Sequence, residues 1–338
     1  MLKHFALLTS LHLLAIGVSI HAEDSSAKTI RAGMIGLDTS HVPAFVGILN
    51  DPKAAGDVAG IKVVAGYPGG TDLPASKDRV AKFTEAIRAK GVEIVDSIPQ
   101  LLEKVDVVML ESVDGRIHLQ EATQVIKAGK PLWIDKPVAG SLADAIVIFE
   151  LAKQHHVPVF SSSALRFGAE IQALRNSPEL GAVTGAATWG PCSASPGMPD
   201  LFFYGIHGVE PLFTLMGTGC QTVTRAVSTQ VDYVTGVWKD GRVGTYRGIR
   251  KGKAPMGAMA FGTNAVVPVA KAGDYNDLCR EIAKFFKTGT APVSAEETIE
   301  IFAFMEAADE SKRQNGAPVA LADVLAKAQA EAAAKLKE

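Results

Sequence analysis

The chain has 338 residues, of which 47% are hydrophobic and 21% are charged, and its formal net charge at pH 7 is −2. This is an ordinary globular composition with enough residues for two domains. The pI near 6.5 gives no reason to expect a nucleic-acid partner.

The first 22 residues have the organisation of a secretory signal peptide. A short basic start, Met1 to His4, precedes a largely apolar run from Phe5 to Ile20, and His21-Ala22 offers a small-residue cleavage point. This run is shorter than the roughly 20 apolar residues that a membrane span needs, which disfavours an uncleaved anchor. We therefore expect an exported protein, periplasmic or extracellular, with no membrane attachment after cleavage.

Three cysteines, Cys192, Cys220 and Cys279, are widely spaced along the chain. Their number and spacing match neither a disulfide framework nor a metal motif. Buried free thiols are the simpler expectation.

The stretch from Thr29 to Leu49, TIRAGMIGLDTSHVPAFVGIL, predicts a buried strand, a tight turn and a helix. Gly36 ends the apolar run, Asp38 to Ser40 offer side-chain oxygens for a helix cap, and Pro43 is tolerated in a first helical turn. In a doubly wound sheet, such a turn is where the pyrophosphate of a dinucleotide lies.

The turn departs from the dinucleotide fingerprint G-x-G-x-x-G, because from Gly36 onward it reads GLDTSH. Asp38 and His41 stand where further glycines are expected, and a carboxylate repels a phosphate at short range. The next predicted strand, Ile61 to Tyr67, is followed by PGG rather than by an acid for the ribose hydroxyls. A helix is predicted over SKDRVAKFTEAIRAK, opened by Lys77, Asp78 and Arg79. A basic residue there could meet a phosphate, although a solvated helix face is the simpler interpretation.

Strands and helices alternate five times between residues 29 and 156, which predicts a parallel sheet. From residue 182 onward, short strands with tight turns, one of them at Asp240-Gly241, predict a largely antiparallel sheet. We therefore expect an α/β protein with a Rossmann-like nucleotide-binding domain over residues 27–150 and a substrate-binding α/β domain over residues 151–338. The second sheet is also the expected surface for a homo-oligomer, and residues 191–204 are interpreted as a substrate-facing loop.

The run from Val105 to Gly140, VDVVMLESVDGRIHLQEATQVIKAGKPLWIDKPVAG, resembles the signature region of the Gfo/Idh/MocA oxidoreductases, the family of glucose–fructose oxidoreductase and inositol dehydrogenase. The matching features are the helix that begins with His118, the sequence Ala128–Lys130, and the Lys-Pro corner Asp135–Pro137. Asp135 replaces the glutamate that is usual in the family.

The resemblance extends over nearly all of the chain after the leader. Leu165–Phe167 resembles the R-R-F motif at the start of the family's second domain, and Gly205–His207 resembles its G-x-H motif. The glycine turn, Tyr67 and Phe203, where the family often has Asp, depart from the pattern. The resemblance implies an enzyme that binds NAD or NADP and transfers a hydride from a hydroxyl-bearing carbon of a sugar or polyol.

The resemblance also implies two sets of binding residues. The cofactor set is Gly36, Asp38, Thr39, Ser40, His41, Ser112, Asp114, His118, Asp135 and Lys136. The substrate set is Arg166, Tyr204 and Glu210.

Two residues are predicted to carry the chemistry. A partly desolvated lysine at a strand end, Lys136, can have a lowered pKa and relay a proton from a hydroxyl group. His207, on a helix beside Tyr204, suits a general base at neutral pH, and Glu210 one turn later could orient it. The alternatives are a surface lysine in a turn and a structural core histidine.

Asp38, His41, Glu111 and His118 fall at or near one predicted sheet edge, which allows the hypothesis of a metal site. Helix caps and loop hydrogen bonds explain these side chains more simply, so no metal ligand is predicted.

Two alternatives to the NAD(P)-dependent oxidoreductase stay open. The missing glycines and the missing ribose acid favour an exported non-redox carbohydrate-active enzyme, a lyase or a hydrolase, on the same scaffold. A carbohydrate-binding protein without turnover is the other. All three functions involve a small carbohydrate and no nucleic acid.

Overall fold

The structure is a computed structural model and describes residues 29–175, 177–269 and 273–337. The predicted signal peptide lies outside these residues. None of the helices in the described ranges is both long enough and apolar enough to cross a membrane.

The first domain contains six strands: β1 (Ile30–Ile35), β2 (Ile61–Tyr67), β3 (Glu93–Ile94), β4 (Val107–Leu110), β5 (Leu132–Asp135) and β6 (Val159–Ser162). They form one parallel sheet in the order β3-β2-β1-β4-β5-β6, which confirms the predicted fold class. Every residue of β4, β5 and β6 is buried, as expected for strands covered on both faces. Because β6 is part of this sheet, the sheet extends past the predicted boundary at residue 150.

Six helices accompany these strands: α1 (His41–Leu49), α2 (Pro74–Lys77), α3 (Val80–Arg88), α4 (Ile98–Lys104), α5 (His118–Lys127) and α6 (Leu142–Gln154). The side chains of Ser97 and Ser141 cap α4 and α6 by accepting hydrogen bonds from backbone N–H groups. The single helix predicted from Ser76 onward is divided into α2 and α3. The break lies at residues 78–79, shortly after Ser76. Ser76 is buried and donates a hydrogen bond to Asp38.

The second sheet has seven strands: β7 (Val183–Pro191), β8 (Cys220–Val227), β9 (Val231–Trp238), β10 (Val243–Ile249), β11 (Gly257–Gly262), β12 (Val266–Val269) and β13 (Val319–Ala320). Their order is β12-β11-β7-β10-β9-β8-β13. The pair β7 and β10 is parallel and the other pairs are antiparallel, so the sheet is largely antiparallel as predicted.

Five further helices belong to the second half of the chain: α7 (Ala169–Leu174), α8 (Ile206–Met216), α9 (Tyr275–Thr288), α10 (Ala295–Arg313) and α11 (Leu321–Lys335). Helices α8 and α10 pack on the second sheet, and α11 packs against α6 of the first domain. Tyr233, Val237 and Val243 of the sheet stay exposed. All three cysteines are free and buried, as predicted.

Helix α9 covers the first domain although it follows most of the second sheet in sequence. It packs against α1, and its Leu278 and Phe285 share a core with Phe45, Trp133 and Phe160. Asp274 caps the helix in a capping box. The start of α9 is thereby held beside the carboxyl edge of the parallel sheet.

Candidate active site

A cleft of about 540 Å³ lies at the carboxyl edge of the parallel sheet. This volume is typical of a small-molecule site. Its walls come from the turn before α1, the Lys-Pro corner after β5, the start of α8 and the start of α9. The lining residues that matter for chemistry are Thr39, Ser40, His41, Arg79, Lys136, Tyr204, His207 and Tyr275.

Lys136 reaches the cleft from the residue after β5, and its Nζ atom lies 5.6 Å from the ring centroid of Tyr204. Burial lowers the pKa of this lysine; the carboxylate of Asp135 opposes that effect and the charge of Arg79 adds to it. A lysine whose pKa is lowered in this way can exchange a proton more readily than a solvated one. Lys136 thus lines the cleft beside Tyr204.

His207 faces the same cleft from the second domain. Its Nδ1 atom lies 2.8 Å from the Oγ atom of Ser163, and its ring centroid lies 5.1 Å from that of Tyr204. Burial and the positive charges of Lys136 and His41 hold the pKa of His207 well below its usual value, so the imidazole is neutral at pH 7. In the tautomer whose Nδ1–H donates to the Ser163 hydroxyl, Nε2 of the neutral imidazole is the atom that can accept a proton.

Arg166 and Glu210, both predicted to bind substrate, do not line the cleft. They form a buried ion pair with a nitrogen–oxygen distance of 2.6 Å, and Arg166 also pairs with Glu297 at 2.7 Å. Glu210 accepts a hydrogen bond from the backbone N–H of Ser163. It therefore acts on His207 through Ser163 rather than directly.

The turn Gly36–His41 contributes only part of its length to the cleft. A Cβ atom on Gly36, whose φ is +82°, would lie 2.1 Å from the Oγ atom of Ser112, so this position requires glycine. Asp38 is fully buried; it accepts hydrogen bonds from the Ser76 hydroxyl at 2.5 Å and from the Val113 N–H at 2.9 Å. The last three residues of the turn are the ones that line the cleft.

The segment 68–77, which we call the cover segment, packs over the first half of this turn. The backbone N–H of Leu37 donates to the carbonyl of Pro68, and a Cβ on Gly69 would lie 3.4 Å from the Cα atom of Gly36. The Thr71 hydroxyl donates to Asp114, a predicted cofactor residue that is buried beneath Arg116. The cover segment therefore continues the pairing of β1 with β2 beside the turn.

Ser112 and His118, also predicted to bind cofactor, are buried below the cleft. Ser112 donates its hydroxyl to Glu121, and its backbone carbonyl lies 2.7 Å from Nε2 of His118. The Nδ1 atom of His118 lies 3.3 Å from the carbonyl of Val138. Through these hydrogen bonds, Ser112 and His118 join the loop after β4 to helix α5 and to the segment that follows the Lys-Pro corner.

The residues of the sequence-based metal hypothesis separate into two groups. Asp38 and His118 have the hydrogen-bond partners just described. His41 and Glu111 instead lie together with Asp135, whose Oδ2 atom is 2.6 Å from Nδ1 of His41. His41 also stands beside Tyr275, at a ring-centroid distance of 4.8 Å.

Sequence reasoning missed two residues of the site. Ser163 ends the run Ser161–Ser163 that follows the core of β6, and this position after a parallel strand is the signal that could have identified it. Tyr275 lines the cleft and hydrogen-bonds to Ser40, but it comes from a helix distant in sequence. No local pattern would have indicated it.

A parallel sheet with a cleft at its carboxyl edge, covered by a second α/β domain, defines a dinucleotide-type two-domain scaffold. Residues 73–163 match the model of the GFO_IDH_MocA family, described as "Oxidoreductase family, NAD-binding Rossmann fold". The resemblance to this oxidoreductase family is thereby confirmed over these residues, and the family is described as NAD-binding, in line with the predicted nicotinamide cofactor. A comparison with curated proteins found no match.

Solved structures share the fold over most of the chain. GenD2 from gentamicin A biosynthesis, in complex with NAD, is 16% identical; the match covers 91% of this chain and 99% of that one, with a TM-score of 0.71. Scyllo-inositol dehydrogenase from Lactobacillus casei, with bound NAD(H) and scyllo-inositol, is 15% identical, with 87% and 100% coverage and a TM-score of 0.70.

The residues present fit the phosphate groups of such a cofactor. Thr39 and Ser40 lie at the amino-terminal end of α1, which favours an anion, and Arg79 brings a guanidinium group to the same cleft. Lys136 supplies a second cation. The turn differs from the fingerprint pattern because Asp38 and His41 replace two of its glycines.

Proposed function

We propose that this protein is an NAD(P)-dependent oxidoreductase that removes a hydride from a hydroxyl-bearing carbon of a sugar or polyol. The observation that carries the proposal is that Lys136 and Tyr204, together with His207, meet in one cleft although they come from different domains. This cleft lies at the sheet edge where α/β proteins bind dinucleotides.

The cofactor, when bound, supplies the hydride acceptor. The ammonium group of Lys136 holds the oxygen of the reacting hydroxyl and stabilises the negative charge that develops on it. His207 takes the hydroxyl proton at Nε2, while the Ser163 hydroxyl orients the ring through Nδ1. The face of Tyr204 supports the cation of Lys136.

The test is to incubate the purified chain with NAD, or separately with NADP, and a panel of sugars and polyols, and to follow the absorbance of the reduced nicotinamide. Lys136→Ala and His207→Ala should abolish most of the signal. Lys127→Ala, which removes an exposed lysine at the end of α5, should retain it.

One observation favours a second candidate, a non-redox lyase or hydrolase acting on a carbohydrate. Asp38 stands where the fingerprint pattern has a glycine for the approach of a dinucleotide, and hydrogen bonds from Ser76 and Val113 fix its carboxylate there. Mass spectrometry of the sugar products distinguishes the two functions: loss of substrate with no reduction of either nicotinamide would support the second.

Export is also part of the proposal, because the first 22 residues have the composition of a signal peptide. Sequencing the amino terminus of the exported protein tests it. We expect the mature chain to begin near Glu23, and a chain in the exported fraction that begins at Met1 would contradict this.

A further inference from the structure

Three side chains that can ligate a metal meet beneath the floor of the cleft. Glu111 directly follows β4, Asp135 is the last residue of β5, and His41 is the first residue of α1, after β1. Because β4 lies between β1 and β5, these three strand ends are neighbours in the sheet. One ligand atom from each of the three side chains lies within 4.8 Å of the other two.

No hydrogen bond explains why the carboxylate of Glu111 is buried. The residue has no exposed surface, and neither of its carboxylate oxygens has a hydrogen-bond partner. A buried carboxylate without a donor or a counter-charge is costly, so this position requires either a proton or a cation.

The other two side chains are already oriented for ligation. The Oδ1 atom of Asp135 accepts a hydrogen bond from the backbone N–H of Lys136 at 2.8 Å, which leaves Oδ2 directed at His41. The ring of His41 stacks on Phe45, with centroids 5.3 Å apart, and meets the edge of Tyr275. Supporting contacts of this kind hold metal ligands in place in known sites.

We propose that His41, Glu111 and Asp135 bind one divalent transition-metal ion, for which Zn²⁺ is the best chemical match. One imidazole and two carboxylates are ligands that Zn²⁺ accepts, and its charge balances the two carboxylates. Ligands about 2.0–2.2 Å from a tetrahedral ion lie roughly 3.4 Å from one another. Binding would therefore bring Glu111 closer and separate the Asp135 and His41 atoms, which are now 2.6 Å apart.

The site has a position left for a further ligand. Three protein ligands leave at least one coordination position on a zinc ion for water or a substrate oxygen. His41 lines the cleft, so that position is reached from the cleft. A bound ion would polarise an oxygen of the substrate beside Lys136. This assignment goes beyond the proposed function and holds for a redox or a non-redox reaction in the same cleft.

The test uses the chain without a histidine tag, stripped of metal by a chelator and then dialysed. Calorimetric titration with ZnCl₂ should give one ion per chain, and metal analysis after dialysis should give the same ratio. The thermal midpoint should rise by several degrees in excess Zn²⁺, because a ligand that binds only the folded state stabilises it. Substitution with Co²⁺ should give the visible absorption of a low-symmetry site.

Glu111→Gln keeps the size of the side chain and should lose Zn²⁺ uptake and the shift of the midpoint. Glu121→Gln is the matched control, because Glu121 is a buried carboxylate of the same domain that is hydrogen-bonded to Ser112 and lies outside the cluster. It should bind Zn²⁺ like the unmodified chain. If Glu111→Gln fails to fold, Asp135→Asn replaces it.

Absence of Zn²⁺ uptake by the stripped, folded chain would overturn the proposal. Equal uptake by the chain and its folded Glu111→Gln variant would overturn it as well, because the ion would then lie elsewhere. Both measurements are made without nicotinamide or sugar, so their outcome is separate from that of the proposed reaction.

Discussion

The Oδ2 atom of Asp38 accepts a hydrogen bond of 2.5 Å from the hydroxyl of Ser76, which joins the turn after β1 to the end of α2. Both side chains are fully buried. The carboxylate of Asp38, which replaces a fingerprint glycine, is therefore held in one position. The cover segment is hydrogen-bonded to it through Ser76.

Asp38→Gly should have two effects. Loss of two buried hydrogen bonds should reduce the free energy of unfolding by about 1–3 kcal/mol, and removal of the carboxylate should tighten NAD(P) binding. Calorimetry measures both, with Asp72→Gly, an exposed change in the same segment, as the control. Unchanged or weaker NAD(P) binding would mean that the turn does not contact the cofactor phosphates.

Lys136→Ala and His207→Ala should each lower the turnover rate by about 10²-fold or more, the usual scale for acid–base groups. Their thermal midpoints should stay close to that of the unmodified chain, since both side chains face the cleft. Steady-state kinetics and scanning calorimetry on the same preparations provide the check, with His155→Ala, an exposed change, as the control. A variant that unfolds earlier and keeps its specific activity would identify a structural residue.

Glu121 should make stability depend on pH. Burial raises its pKa from 4.5 to about 7, so between these values the folded chain holds a proton that the unfolded chain releases. The resulting stabilisation is fully present below about pH 4.5 and is lost as the pH rises through about 7. The midpoint of the unmodified chain should therefore fall relative to that of Glu121→Gln over this range. If the midpoints of the unmodified chain and of Glu121→Gln changed with pH in the same way, the prediction would be contradicted. The midpoint of the control variant Glu103→Gln, an exposed change, should follow that of the unmodified chain at every pH.

Oligomerisation through the second sheet is also open to test. Tyr233, Val237 and Val243 are 42%, 39% and 45% exposed, and the last two are register partners on neighbouring strands. Exposed apolar side chains grouped on a sheet favour contact with a second copy. Light scattering should show a homo-oligomer that Val237→Asp dissociates and that Ala89→Asp, on the first domain, leaves intact. A monomeric unmodified chain would contradict this.

The fold was predictable because its signals are local. Apolar runs such as Val107–Leu110 separated by helical segments indicate a parallel sheet, and the Lys-Pro corner indicates where β5 ends. The location of Lys136 and His207 near one sheet edge could be predicted for the same reason, since each belongs to a short motif. Both lie in the observed cleft.

The rest of the site depends on pairing between residues distant in sequence. Arg166 was predicted to face the substrate, but Glu210 and Glu297 pair with it below the cleft, and no local pattern indicates which charges pair. The cluster of His41, Glu111 and Asp135 arises because three strand ends are adjacent in the sheet. That adjacency follows from strand order, which residue spacing alone does not specify.

Helix α9 has a consequence for the order in which the chain can fold. A ribosome completes the six strands of the first domain long before it reaches Tyr275–Thr288. Of the thirteen strands in the part of the chain that the structure describes, twelve precede this helix. Until then Phe45 and Phe160 lack the partners that bury them, so the nascent first domain carries an open apolar face. Contacts between such distant segments slow folding and leave intermediates prone to aggregation. Synthesis of the second half is thus a precondition for completing the first.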